Sequence, residues 1–178
     1  MERAEEVLSF WLDEVGPKGW YAVDAELDQQ VRDRFGDLYQ QAVDGAYIIL
    51  MDQFPRNMFR DSGAAFQTDA VALAAAKAAI DRKWDLKIDA PARQFFYLPL
   101  MHSENLCDQD RCVRLMHERM PEQGADNLLH AKAHRQVIRK FGRFPYRNAA
   151  LERPTTAVEQ AYVEAGGYGK TVRELQAG

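Results

Sequence analysis

The chain has only two cysteines among its 178 residues, which is too few for the disulfide framework of a small secreted domain. Cys107 and Cys112 lie five residues apart in one predicted helix, and this spacing places them on different helix faces. We therefore expect no disulfide between them, and two thiols do not make a metal framework. Reduced thiols indicate a cytoplasmic location.

Long hydrophobic segments are also missing. The longest apolar runs, residues 46–51 and 70–76, are far shorter than the roughly 20 residues that a helix needs to cross a bilayer. The first residues, Met1–Glu6, are acidic and lack the basic region that begins a signal peptide. We therefore predict no membrane association.

Basic residues are not in excess, because 23 Lys and Arg face 27 Asp and Glu, which gives a net charge of −4. This balance argues against general nucleic-acid binding, and no nucleic-acid-binding motif is present. One segment differs, since no acidic residue lies between Asp126 and Glu152. It could bind an anion or an acidic partner, or it could be a solvated helix face near the acidic N-terminal helices. Its six basic residues are Lys132, Arg135, Arg139, Lys140, Arg143 and Arg147.

No alternating apolar–polar run is flanked by turn residues, so the sequence predicts no strands. Apolar residues recur instead at helical spacing, in seven or eight segments joined by short loops. We predict a single all-α domain over residues 1–178, with residues 166–178 frayed. Stacked antiparallel helix pairs, as in an α-solenoid, fit this pattern, although no strict 34-residue repeat is visible.

Local signals predict several helix ends in the first half of the chain. Asp24 is the predicted N-cap of a helix that ends at Gly45. Tyr47–Phe54 forms the next helix, and Pro55 closes it because proline lacks the N–H that a helix interior needs. Pro99 should end or kink a later helix within one turn.

Further signals define the second half. Ser103 is the predicted N-cap of a helix that runs to about Met120. The helix from Ala125 to Phe141 should end at Gly142, a natural C′ residue. Thr156 and Glu159 form a capping box for a last helix.

The most distinctive feature is a short motif that occurs twice. Phe54-Pro55-Arg56-Asn57, here called the first corner, returns as Phe144-Pro145-Tyr146-Arg147-Asn148, the second corner, with one residue inserted. Each motif follows an apolar helical run. The arginine and the asparagine are expected just beyond a helix end, where carbonyl groups lack partners and the helix dipole is negative.

Polar residues around the two corners form the candidate binding site. If the helix ends converge, these side chains would make a polar pocket in an apolar frame, which is typical of a small-ligand site. Arginines there suit a carboxylate or a phosphate. The alternative is that Asp52–Arg56 and Glu104–Arg147 are structural pairs, and that the asparagines bond to loop backbone. The site comprises Asp52, Arg56, Asn57, His102, Glu104, His134, Arg143, Arg147 and Asn148.

Catalytic candidates are weaker. His102, Glu104 and His134 could act as acid or base if the geometry allows. His130 and His134 have the i, i+4 spacing of metal ligands, but Ala131 stands where a zinc-protease helix has its glutamate. We therefore predict neither a metal nor a cofactor. The glycines before Thr171 do not form a phosphate loop, because Glu164 replaces the required glycine and no strand precedes it.

The two corners also carry a resemblance to a known family. Together with Val7–Trp11, Ile48–Arg60, Phe95–Glu104 and His134–Asn148, they make the chain similar to the bacterial domain-of-unknown-function 924 family. The resemblance covers most of the chain. It implies a tetratricopeptide-like helical fold and a bacterial-type soluble protein, and it implies no reaction.

One departure from the family pattern lies before Tyr47. Family members carry a longer segment there, whereas only Gly45 and Ala46 separate the predicted second and third helices. Either a loop is deleted or a stretch is missing from this chain.

Our leading hypothesis is a small binding module that holds a small anionic ligand or a peptide terminus at the corners. One rival is an enzyme that uses a His/Glu acid–base pair. Another is a scaffold whose corners are only structural. No sequence signal indicates an oligomeric state.

Overall fold

The computed structural model describes residues 2–41, 47–122 and 124–177. Within these ranges the chain forms helices, turns and loops and contains no strand, which confirms the predicted all-α class. The chain divides after Trp84 into two compact units, Met1–Trp84 and Asp85–Gly178. Each unit has its own buried core, and each is described separately.

The first unit begins with an irregular helical segment. A regular turn widens into a π-helix over Ser9–Val15, and both Phe10 and Trp11 are buried there. Asp24 then caps the long helix, since its carboxylate accepts hydrogen bonds from the backbone N–H groups of Glu26 and Leu27, as predicted. The helices of this unit are α1 (Glu2–Leu8), α2 (Gly16–Gly19), α3 (Ala25–Gln41), α4 (Tyr47–Asp52), α5 (Phe54–Met58) and α6 (Asp69–Asp81).

Aromatic rings form the core of the first unit. The ring of Phe54 lies 5.0 Å from that of Phe35 and 5.4 Å from that of Trp11, measured between centroids. Phe10 completes the cluster at 5.0 Å from Phe35. Tilted and edge-on contacts of this kind add to the stability gained from burial. The first corner is therefore anchored in the core by its phenylalanine, as the sequence indicates.

The second unit contains the two longest uninterrupted helices of the C-terminal half. Asn105 caps the helix Leu106–Arg119, because its side chain accepts hydrogen bonds from the N–H groups of Cys107 and Asp108. The predicted cap was Ser103, whose hydroxyl donates instead to the carboxylate of Asp108. The N-cap of this helix therefore lies two residues after the predicted position. Asn105 has the extended backbone of an N-cap residue. The helices are α7 (Leu98–His102), α8 (Leu106–Arg119), α9 (Ala125–Phe141), α10 (Ala157–Glu164) and α11 (Gly167–Ala177).

Several helix ends in the second unit match the sequence signals. Helix α9 has the predicted bounds, and Gly142 ends it with φ 71° in the left-handed region, where a side chain would be strained. The predicted capping box of Thr156 and Glu159 is present at α10. Cys107 is exposed, Cys112 is buried, and both are free thiols.

The prolines of the two corners open short helices, which corrects our expectation that Pro55 ends one. Pro55 lies in the first turn of α5, and Pro145 begins a 3₁₀ turn over Pro145–Arg147. Pro99 likewise lies in the first turn of α7, directly after a 3₁₀ segment. Proline fits this position because the N–H groups of a first turn have no partner within the helix. The arginines therefore lie within these short helices, and the break that we predicted near Pro99 is confirmed.

The C-terminal segment is also different from our expectation. Residues predicted to fray form helix α11, whose Thr171 is buried. Gly166, with φ 104°, permits the tight turn from α10 into α11. Burial against α9 stabilises a helix that its sequence alone would leave marginal.

Two expectations lie beyond what the structure describes. The end of the second helix at Gly45 and the Gly45–Ala46 connection fall outside the described residues. The interpretation as one domain stays a prediction. No helix in the described ranges is long and apolar enough to cross a membrane.

Candidate functional site

Arg56 of the first corner is held by acidic groups of its own unit. Its guanidinium donates to the carbonyl oxygen of Asp52, lies 3.5 Å from the Asp52 carboxylate and 2.9 Å from that of Asp69. The Asp52 side chain is 1% exposed. The predicted Asp52–Arg56 pair is therefore present, and Asp69 at the start of α6 adds a second carboxylate.

Asn57 and a second arginine close the first corner from the other side. The amide of Asn57 donates to Asp28 over 2.9 Å, and Arg60 binds both oxygens of the same carboxylate. Burial alone would raise the pKa of Asp28, but the hydrogen bonds from Arg60 and Asn57 lower it overall. We call the Arg60–Asp28 pair the first clamp.

The second corner has an equivalent clamp. Arg153 binds both oxygens of Glu104, at 2.7 and 3.0 Å, and Glu104 also accepts a hydrogen bond from the N–H of Phe144. Arg153 further donates to the side-chain oxygen of Asn148. Burial would raise the pKa of Glu104, but the bonds from Arg153 and Phe144 lower it overall. We call this Arg153–Glu104 pair the second clamp. The charge of Arg147 also lowers the pKa of Glu104, and the Glu104–Arg147 pair stays a prediction.

Two further arginines belong to the second corner. Arg147 is 6% exposed; it donates to the carbonyl oxygen of His102 over 3.1 Å, and its guanidinium lies 4.4 Å from the ring centroid of Phe144. Arg143 instead binds both oxygens of Glu159. These hydrogen bonds lower the pKa of the Glu159 carboxyl group well below its ordinary value. Arg143 is thus tied to the start of α10.

Imidazole and phenol groups gather beside Phe144. The ring centroid of His134 lies 5.3 Å from that of Phe144, 6.4 Å from that of His102 and 4.7 Å from that of Tyr168. The hydroxyl of Tyr168 lies 2.6 Å from Nδ1 of His130 and 3.1 Å from Nδ1 of His134. His102, His130, His134 and Tyr168 are all partly exposed. We call these four residues the imidazole cluster.

The hydrogen bonds assign the protons of this cluster. Nδ1 of His134 lies 2.8 Å from the carbonyl oxygen of His130, and a carbonyl only accepts, so Nδ1 of His134 carries the proton. The Tyr168 hydroxyl then accepts from His134 and donates to Nδ1 of His130. Nε2 of His134 is left as an acceptor, and it takes part in no hydrogen bond within the described ranges.

The electrostatic environment of His134 is positive. Burial is the main reason why its pKa falls from 6.5 to about 3, and the charges of His102, Arg147 and His130 lower it further. His134 is therefore a neutral imidazole at physiological pH. Glu104 is held ionised by its clamp.

The nine predicted site residues fall into two groups. Asp52, Arg56 and Asn57 belong to the first unit, and the other six belong to the second. There His102, His134 and Arg147 lie close together, and Glu104 and Asn148 share Arg153. Arg143 binds Glu159 instead. Whether both groups share a cleft stays a prediction. His130 and His134 face Tyr168, and within the described residues no three His, Cys, Asp or Glu side chains could hold a metal ion together.

Sequence reasoning missed four important residues. Asp28 and the two clamp arginines were not considered, although an arginine follows each motif within five residues, as Arg60 and Arg153. That recurrence was the available signal. Tyr168 was assigned to a frayed tail, and no local pattern links it to α9.

The architecture defines a small all-helical protein in which two proline corners are each closed by an arginine–carboxylate clamp. The chain belongs to the family described as bacterial protein of unknown function, DUF924, which matches residues 7–167. The structure is similar to that of a protein of unknown function from Agrobacterium tumefaciens, with 36% sequence identity and a TM-score of 0.85. The similarity covers 92% of this chain and 98% of that one. Comparison with curated proteins gives no match.

Proposed function

We propose that the protein is a binding module that holds a small anionic ligand, such as a peptide carboxylate terminus, at the imidazole cluster of the second corner. The observation that carries this proposal is the convergence of partly exposed imidazoles from α7 and α9 beside the buried guanidinium of Arg147. Partly exposed polar groups on an aromatic base are typical of small-ligand sites.

The charges around His134 support an anion. Arg147 is among the charges that lower its pKa, and this guanidinium contributes a positive potential that attracts negative groups. Nε2 of His134 is an available acceptor. A carboxylate terminus whose neighbouring amide N–H donates to this nitrogen would satisfy both features.

The first corner supports the other role, that of a scaffold. Arg56 is already bound by the carboxylates of Asp52 and Asp69, so an external anion would have to displace them. The proposal is therefore confined to the second unit, and the first corner serves as an internal comparison.

A tetratricopeptide-like arrangement is part of the proposal. Helices α8 and α9 pack on each other and are joined by a short connection after Arg119, and only Ala165 and Gly166 separate α10 from α11. Short connections favour antiparallel neighbours. These two pairs support a stack of helical hairpins in the second unit.

The test is a titration with N-acetylglycine, which carries a carboxylate and an adjacent amide, and in parallel with inorganic phosphate. Ring resonances of His102 and His134 are followed by NMR. We expect saturable shifts with N-acetylglycine, and Arg147→Gln should weaken binding at least about tenfold, the effect of losing a charged interaction. Saturation by phosphate alone would identify a free inorganic anion as the ligand and overturn the peptide terminus.

The matched control is Arg56→Gln in the first corner, which should leave the affinity unchanged. If Arg147→Gln does not fold, His102→Gln takes its place, since the backbone carbonyl that Arg147 needs is retained. Absence of saturation with both ligands would overturn the binding function. Equal loss in the Arg56 and Arg147 variants would overturn its assignment to the second corner.

A further inference from the structure

A cavity lies in the second unit, between α9, α10 and α11. Its volume is about 290 Å³, just below the range of pockets for drug-sized ligands. Val137, Phe141 and Tyr162 form much of its apolar wall, and Val137 is 1% exposed. The space therefore suits a ligand with a compact apolar body.

Two residues of α10 add to the apolar lining. Val158 lines the cavity and is 65% exposed. Ala161, one turn further along the same helix, also lines it. A ligand in the cavity would cover Val158 and remove apolar surface from water.

One ammonium group is fixed at this wall. Nζ of Lys140 lies 5.2 Å from the ring centroid of Phe141 and 5.6 Å from that of Tyr162, within the distance of cation–π attraction. The other lysine of the cavity, Lys170, is paired with Glu174. The ion pairs of the described residues include none that involves Lys140, so its charge is available.

Polar atoms also occur in the wall. The hydroxyl of Tyr162 lies 2.9 Å from that of Thr171, and Thr171 is 4% exposed. These two hydroxyls satisfy each other. The lining also includes the polar side chains of Gln136, Lys170 and Glu174.

We propose that this cavity binds a small monocarboxylate with an apolar body, whose carboxylate pairs with Lys140. A single unpaired ammonium matches one negative charge. A phosphate with two charges would have to be desolvated against apolar walls and a single cation, which is costly. The site is separate from the imidazole cluster, and neither proposal depends on the other.

The experiment compares three probes: 3-phenylpropionate, its uncharged analogue 3-phenylpropan-1-ol, and acetate. Methyl resonances of Val137 and Val158 report on the cavity. We expect saturable shifts with 3-phenylpropionate, about fivefold weaker binding of the alcohol, which lacks the partly exposed ion pair, and no saturation with acetate. Saturation by acetate at these valines would overturn the role of the apolar body.

Two variants and one control test the parts of the site. Lys140→Met keeps the apolar stem and removes the charge, so 3-phenylpropionate should bind it no better than the alcohol does. Lys132→Met, an exposed lysine on the same helix, should change neither affinity. Ala161→Leu places a larger side chain in the lining of the cavity and should abolish the binding of both the acid and the alcohol.

Equal affinity of the acid and the alcohol for the wild type would overturn the role of Lys140. Absence of saturation by every probe, with the fold intact by circular dichroism, would overturn the site itself.

Discussion

The two corners share a motif and a clamp, yet their central arginines have different surroundings. Arg56 lies between two carboxylates, whereas Arg147 lies against the ring of Phe144 and donates to a carbonyl oxygen. Both clamp arginines bind their carboxylates in a bidentate way, Arg60 through Nε and Nη2 and Arg153 through Nη1 and Nη2. The comparison indicates that the clamp is the conformational requirement of the motif. The motif arginine can be used either for structure or for a site.

The largest effect in this comparison should come from the clamp carboxylates. Asp28→Ala and Glu104→Ala each leave a partly buried arginine without its carboxylate, so each should lower the free energy of unfolding by about 2–4 kcal/mol. Urea denaturation at neutral pH measures both. Asp110→Ala, which removes exposed pairs with Arg135 and Arg139, is the control and should cost less than about 1 kcal/mol. A large cost at one clamp only would contradict their equivalence.

Acid should weaken the second corner before it weakens either clamp. The pKa of His134 is lowered from 6.5 to about 3, so between these values the unfolded chain binds a proton that the folded chain does not. The free energy of unfolding therefore falls as pH decreases from 6.5, by up to about 1.4 kcal/mol per pH unit. The pKa of Glu104 is lowered from an ordinary value of 4.5, and that of Asp28 from 3.8, so their contributions are lost only at lower pH.

Urea denaturation of the wild type and of His134→Gln at pH 7.5 and at pH 5.0 checks this expectation. The variant should lose less stability than the wild type over this interval. An identical loss in both proteins would show that His134 does not cause the dependence. Ring resonances that report a protonated His134 at pH 5 would show the same.

The smallest effect on stability should come from Tyr168, which lies on α11 and contacts the imidazole rings of the second corner. Tyr168→Phe removes the hydroxyl between His130 and His134 and should cost about 1 kcal/mol, the contribution of a typical hydrogen bond. It should also shift the His134 ring resonances. Tyr162→Phe, which removes a hydroxyl of the neighbouring helix, should leave those resonances unchanged. If the His134 resonances do not shift in the Tyr168 variant, then α11 is not part of the site.

Much of the fold is predictable because it depends on local signals. Asp24, Gly142 and the Thr156–Glu159 capping box act within a few residues of their own helix ends, and all three are where the sequence places them. The prolines were interpreted as stops, although a proline two residues into a short helix gives the same local pattern. Only the conformation of the residues after the proline shows whether the proline ends one helix or begins the next.

The candidate site was less predictable because its contacts are long-range. Both carboxylate oxygens of Glu104 are bound by Arg153, a residue outside the predicted site. The periodicity of a helix does not tell which arginine reaches a distant carboxylate. Tyr168 was missed for the same reason, since its contact with α9 depends on how the last helix packs.

The clamps also have a topological consequence. Asp28 and Arg60 are 32 residues apart, and Glu104 and Arg153 are 49 apart. Because the entropy of closing a flexible loop grows only with the logarithm of its length, the two closures differ by about 0.4 kcal/mol in the unfolded chain. Loop length therefore favours neither clamp. Both clamps are long-range contacts, which raise the contact order of the fold and are expected to slow its formation.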